Sequence, residues 1–251
     1  RDRVELVIAV RAGSIDETDD ERGLAHVLEH LAFRARTDAD GTRWSALREL
    51  EAHGVSFGAH QNAYTSFEET VFFLHVPADF FGRALELLAA LVGEAAHVDA
   101  SDVDAERKIV LEEWRQGKDW AQRSTELRRN QPHVESVIFY CCAGTESHFR
   151  HTFEGTTLAA RLPIGDLEVV RTARPETIRG FYERQYQADA LAVIVVGAVP
   201  DAVQVDQLDR AFAPYFRKGA ARPWPRAPAA FFPDPSSFGA AVFAEAPRRR
   251  V

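Results

Sequence analysis

Methionine is absent from this 251-residue sequence, and cysteine occurs only twice, at the adjacent positions Cys141 and Cys142. A chain without an initiator residue is expected to be one piece of a longer polypeptide, and no charged-then-apolar leader can be read at its start. Neighbouring cysteines lie one peptide step apart, closer than a normal disulfide spans, and they lack the paired spacing of a structural zinc site. They are expected to act as small buried hydrophobes and leave the redox compartment open. Long apolar runs are missing too. The longest, Ala190 to Val199, matches one buried strand, far short of the roughly 20 residues that cross a bilayer. Nor is there an excess of positive charge: a net charge of −8 argues against the phosphate-neutralising surface of a general nucleic-acid binder.

Core material is plentiful, since 46% of the residues are apolar, enough for one large domain or two small ones. Val4, Leu6, Ile8 and Val10 alternate with other residues, as in a strand with one buried face. Thr18 and Glu21 have capping-box spacing, so a helix is predicted to start there and to carry 23–36. Further helices are predicted over 43–52, 79–97, 102–129, 175–186 and 205–216. Strands are predicted over 55–60 and 69–76, joined by the polar segment 61–66, with another at 191–196. Residues 218–235 read as a loop or linker and 240–243 as one further strand. There is no internal repeat. Hairpins mixed with helices indicate an α+β domain rather than a doubly wound parallel sheet.

The chemistry begins at His26-Val27-Leu28-Glu29-His30. On a helix, positions i, i+3 and i+4 share a face, so two imidazoles and one carboxylate point together. Two such histidines can bind one Zn²⁺, and the glutamate can reach a metal-bound water, in the inverted H-x-x-E-H order. Catalytic zinc takes three protein ligands, so a third is expected elsewhere. Glu106 and Glu113 stand seven residues apart on one helical face, and either can supply it; Glu112 points away from both. The other histidines lack paired spacing with a carboxylate in a recognisable motif, and the four tryptophans read as packing.

Several segments occur together in one order: Gly13-Ser14, Glu17, Gly23 through Phe33, Asn62-Ala63-Tyr64-Thr65-Ser66, and Glu106-Arg107 through Glu113. With them the chain resembles the N-terminal domain of the insulinase or pitrilysin family of zinc metallopeptidases, and most resembles its bacterial branch, from the segments around Asp16-Glu17-Thr18 and Phe67-Glu68-Glu69-Thr70. The resemblance runs to about Phe216.

It implies a mostly antiparallel mixed sheet flanked by helices, with 1–217 as the peptidase domain. Residues 218–251 would be a linker-like segment with a candidate final strand. It implies zinc held by His26, His30 and Glu113, with Glu106 as the supporting carboxylate and Glu29 as general base. Asn62 and Ala63 match the segment that receives substrate as an added strand. The implied activity is endopeptidase action on peptides or unfolded polypeptides. The implied partner is a second homologous domain or subunit, without which this part would be incomplete or non-catalytic. An exported, periplasmic setting is favoured over a cytoplasmic one. The chain departs from the family pattern at Phe33-Arg34-Ala35-Arg36, at Gln185 to Asp189 and at Gly197-Ala198. These changes are expected to touch loops and packing, not the metal ligands.

Overall fold

A computed structural model describes residues 2–34, 36–37, 43–96, 99–130, 153–198 and 205–216. In chain order its elements are β1 (Arg3–Val10), α1 (Leu24–Ala32), β2 (Arg36–Thr37), β3 (Arg43–Trp44), α2 (Ala46–Ala52), β4 (Gln61–Thr65), β5 (Thr70–Pro77), α3 (Phe81–Gly93), α4 (Ala100–Asn130), α5 (Thr157–Ala160), α6 (Leu167–Thr172), α7 (Pro175–Gln185), β6 (Leu191–Gly197) and α8 (Val205–Phe212). Four strands form one antiparallel sheet in the order β4-β5-β1-β6, and β2 pairs with β3 apart from it. The fold is α+β. The segments 218–235 and 240–243, the boundary at 217 and both cysteines lie outside the described residues.

Period-2 patterning places the core on one sheet face. Val4, Leu6, Ile8 and Val10 are fully buried, with Leu6 opposite Leu74 and Val195, and Ile8 opposite Phe72 and Val193. Helix α1 packs on β4, β5, α4 and α7. Its Leu24, Val27, Leu28 and Leu31 recur at i, i+3, i+4 and i+7 and are buried. Each such side chain contributes roughly 1.5–3 kcal/mol on burial. His26, Glu29 and His30 fall on the opposite side of the helix. The stripe that docks α1 therefore aims the motif away from the core.

Helix α1 starts later than the capping-box spacing predicts. Thr18 N–H does donate to Glu21 Oε2 at 3.1 Å, but this closes only a turn, because the chain enters α1 through Gly23 at φ 103, where no helix continues. The left-handed Gly23 is matched by Gly165 at φ 81, packed directly against it. A Cβ on Gly165 would lie 2.3 Å from Gly23 Cα and 2.7 Å from the Arg22 carbonyl oxygen. Backbone cannot give way as a side-chain tip can. Gly165→Ala is expected to cost roughly 1–3 kcal/mol, the scale of a residue forced into a disfavoured backbone conformation, read as a lower unfolding midpoint. An unchanged midpoint would show that this loop does not brace α1.

The first hairpin strand is β4, not the predicted 55–60. Val55 is buried, Gly58 turns the chain at φ 82, and Gln61 is buried with its Nε2 donating to the Val55 carbonyl at 2.7 Å. That internal bond gives a partner to the amide nitrogen of a polar side chain that periodicity alone assigns to a loop. Helix α8 ends at Phe212 instead of 216, because Pro214 lacks the N–H that a further turn needs.

Candidate metal centre

Helix α4 faces α1 with Val103, Glu106, Val110 and Glu113, which share one side at i, i+3, i+7 and i+10. The two valines are buried and hold the contact; the two glutamates reach the motif. His26 Nε2 lies 3.2 Å from His30 Nε2 and 3.6 Å from Glu113 Oε2, and His30 Nε2 lies 3.4 Å from the same oxygen. Bonds of 2.0–2.1 Å in tetrahedral geometry put neighbouring ligand atoms about 3.3 Å apart. The triangle thus has the size a zinc ion needs. Among the described residues it is also the group of metal-ligating atoms that converges in this way.

Glu106 stands elsewhere: its Oε2 faces His30 Nδ1 at 3.1 Å, on the far side of the imidazole. It is buried, 6% exposed. A carboxylate there holds a proton on Nδ1, so that Nε2 is the nitrogen whose lone pair can turn to a metal once its own proton is displaced. Sequence reasoning missed the next link. Arg34 Nε pairs with Glu106 Oε1, so a change expected to touch only loops and packing reaches the carboxylate behind a candidate ligand. Helical spacing could not have found it, because Arg34 lies beyond the end of α1 at Ala32.

Charge balance points the same way. Burial disfavours a charge on His30, but hydrogen bonds to Glu106 and Glu113, together with nearby Glu29, push it up to about 10. Burial and the neighbouring His30 push His26 down to about 4. Burial works to raise Glu113, yet the hydrogen bond and charge of His30 hold it below the ordinary carboxylate range. This cluster of carboxylates favours a cation at its centre. Glu29 is not among the converging atoms. Its Oε2 accepts the Thr65 hydroxyl at 2.7 Å, and burial raises it above the usual carboxylate range despite that bond.

Thr65 belongs to β4, one of the two edge strands of the sheet among the described residues, the other being β6. Backbone hydrogen bonds from His75 N–H to the His60 carbonyl and from Ser66 N–H to the Glu69 carbonyl set the phase of the ladder. Asn62 and Tyr64 therefore turn their main-chain groups toward β5, whereas Ala63 and Thr65 turn theirs to the edge. Asn62 Oδ1 accepts the Ala63 N–H at 2.9 Å.

A further carboxylate secures the start of α1. Glu17 Oε2 accepts the Gly23 N–H and Oε1 the Ala25 N–H, each at 2.9 Å, satisfying orphan donors of the first turn. Burial outweighs these donors and Arg161, and pushes Glu17 up to about 8. Above roughly pH 4.5 an unfolded chain releases this proton, while the folded chain keeps it until about pH 8. The contribution of Glu17 to stability should therefore be complete below pH 4.5, fall between those values and level off above them. Thermal unfolding of the native protein minus that of Glu17→Gln across this range tests it. A difference independent of pH would show that the two N–H donors keep the carboxylate ionised.

Comparison with known proteins places the fold in a family. The sequence profile of the family described as Insulinase (Peptidase family M16) matches residues 1–135. A zinc protease PQQL-like of Arabidopsis thaliana is 35% identical over 211 residues, 83% of this chain and 20% of that protein. The crystal structure of the periplasmic protease PqqL from Escherichia coli superposes with a TM-score of 0.68 at 28% identity, over 90% of this chain and 23% of that one. The separately solved first half of that protease superposes at 0.67 and 28% identity, over 90% of this chain and 45% of that half. The chain thus spans about a fifth of the length of the PqqL-type curated relatives it matches. On the profile match and the shared fold, the chain belongs to the insulinase family of peptidases, peptidase family M16.

Proposed function

We propose that this chain is the zinc-holding part of a metalloendopeptidase that hydrolyses peptides or unfolded polypeptides. The convergence of His26 Nε2, His30 Nε2 and Glu113 Oε2 at 3.2–3.6 Å carries the reading. These three residues would hold the metal. When bound, zinc supplies Lewis acidity toward a peptide carbonyl and an attacking water. Glu29 takes the proton from that water and returns it to the leaving amine, held in place by Thr65. Glu106 orients His30. The edge-facing groups of Ala63 and Thr65 offer main-chain hydrogen bonds to an extended peptide, independent of its side chains. Incoming substrate would displace the Asn62 amide oxygen from the Ala63 N–H.

A second reading is favoured by two observations. Glu113 is 35% exposed at its side chain, so the centre is open on one side, and the PqqL-type relatives are about five times longer. A second homologous domain or partner subunit would close it, exclude water and stabilise the developing oxyanion. On that reading this part holds zinc but cuts slowly alone. No helix among the described residues is long and apolar enough to cross a membrane. The resemblance to a periplasmic protease supports an exported setting.

Metal analysis and peptide cleavage test the function together. The protein is expected to retain zinc through dialysis, to lose cleavage of an unstructured peptide on chelation, and to regain it with added zinc. Failure to retain zinc would overturn the proposal. Retained zinc without cleavage, restored by the missing half, would select the second reading.

A further inference from the structure

We infer that Arg34 is a positioning residue of this centre, acting through Glu106 to fix the His30 ring. The inference rests on the reading of His26, His30 and Glu113 as metal ligands.

Arg34 follows the end of α1, where the Phe33 and Arg34 N–H groups close the helix on the His30 and Leu31 carbonyls at 3.1 Å each. Its backbone is thereby set one turn beyond His30, and both side chains reach the same carboxylate from the same face. Glu106 is divided between them, Oε2 to His30 Nδ1 at 3.1 Å and Oε1 to Arg34. A carboxylate so buried is costly when half satisfied. His30 engages one oxygen only, and the Arg34 guanidinium forms an ion pair with the other through Nε, an attraction that opposes rotation of the carboxylate about its last bond. The imidazole that meets Glu113 and His26 is therefore oriented by a pair, not by Glu106 alone.

The charge of Arg34 by itself opposes a nearby cation, so the affinity of a single variant mixes two effects. The coupling between Arg34 and Glu106 separates them, because the repulsion persists when Glu106 is neutral and the positioning does not. Zinc affinity is to be measured by chelator competition for the native protein, Arg34→Gln, Glu106→Gln and the double variant. Arg34→Gln is expected to lower affinity about tenfold more when Glu106 is present than when it is Gln, within the 10- to 100-fold range of outer partners of metal ligands. Arg34→Lys, which keeps a cation but not the planar fork, should recover part of the loss. The visible spectrum of the cobalt-loaded protein should change in Arg34→Gln, whereas that of the double variant should match Glu106→Gln alone. Additive effects, or a coupling of opposite sign, would overturn the inference. Glu113→Ala serves as reference: if it keeps native affinity, the metal-site reading itself fails. If it loses zinc while no coupling is found, only the role of Arg34 fails.

Discussion

Replacing Glu29 with Gln is expected to lower peptide cleavage by roughly 10²- to 10⁴-fold, the usual contribution of a positioned general base, while bound zinc stays at the native level. The two halves of this expectation rest on different observations. Zinc should persist because the converging atoms belong to His26, His30 and Glu113, and Glu29 is not among them. Cleavage should collapse because Gln can still accept the Thr65 hydroxyl that holds Glu29 at 2.7 Å, and so keeps the shape of the site, but has no site for the transferred proton. Burial raises Glu29 above the ordinary carboxylate range, which makes it a better base than an exposed glutamate. The experiment needs the protein in its native assembly, with any partner domain present, so that a slow isolated part is not mistaken for an inactive one. Cleavage that survives would remove Glu29 from the mechanism. Zinc lost together with cleavage would make Glu29 a ligand.

Much of this was legible in the residue order, and the rest for identifiable reasons was not. The period-2 run in β1 and the docking stripe of α1 are patterns of burial, and burial is what periodicity reports. The β4 strand was hidden because its polar residues make contacts that no local pattern encodes: the Gln61 amide nitrogen with the Val55 carbonyl and the Thr65 hydroxyl with Glu29. The start of α1 was misplaced because two segments far apart in sequence, at Gly23 and Gly165, press their backbones together. The H-x-x-E-H spacing showed which residues share a helical face. It could not show which of Glu106 and Glu113 meets the outer nitrogen of His30, since both lie on the same face of α4. The family resemblance implied the division, with Glu113 as ligand and Glu106 as support, and the distances put Glu113 against both Nε2 atoms.

Those distances rank the two glutamates, and the ranking is the second large effect. Glu113→Ala should weaken zinc retention by more than the roughly 10- to 100-fold expected for loss of an outer partner such as Glu106. Glu113 Oε2 is 3.6 and 3.4 Å from the two Nε2 atoms, so its removal leaves a two-histidine site where catalytic zinc takes three protein ligands. Glu106 touches only Nδ1 of His30, and a nitrogen on the far side of the ring cannot share the same ion. Glu106→Ala should keep the ion but hold it more loosely, because the His30 ring loses the acceptor that fixes its proton. Chelator competition on both variants decides the matter. If Glu106→Ala releases zinc more readily than Glu113→Ala, the third ligand is Glu106, and the α1–α4 packing that brings Glu113 to the imidazoles is not the one that binds metal.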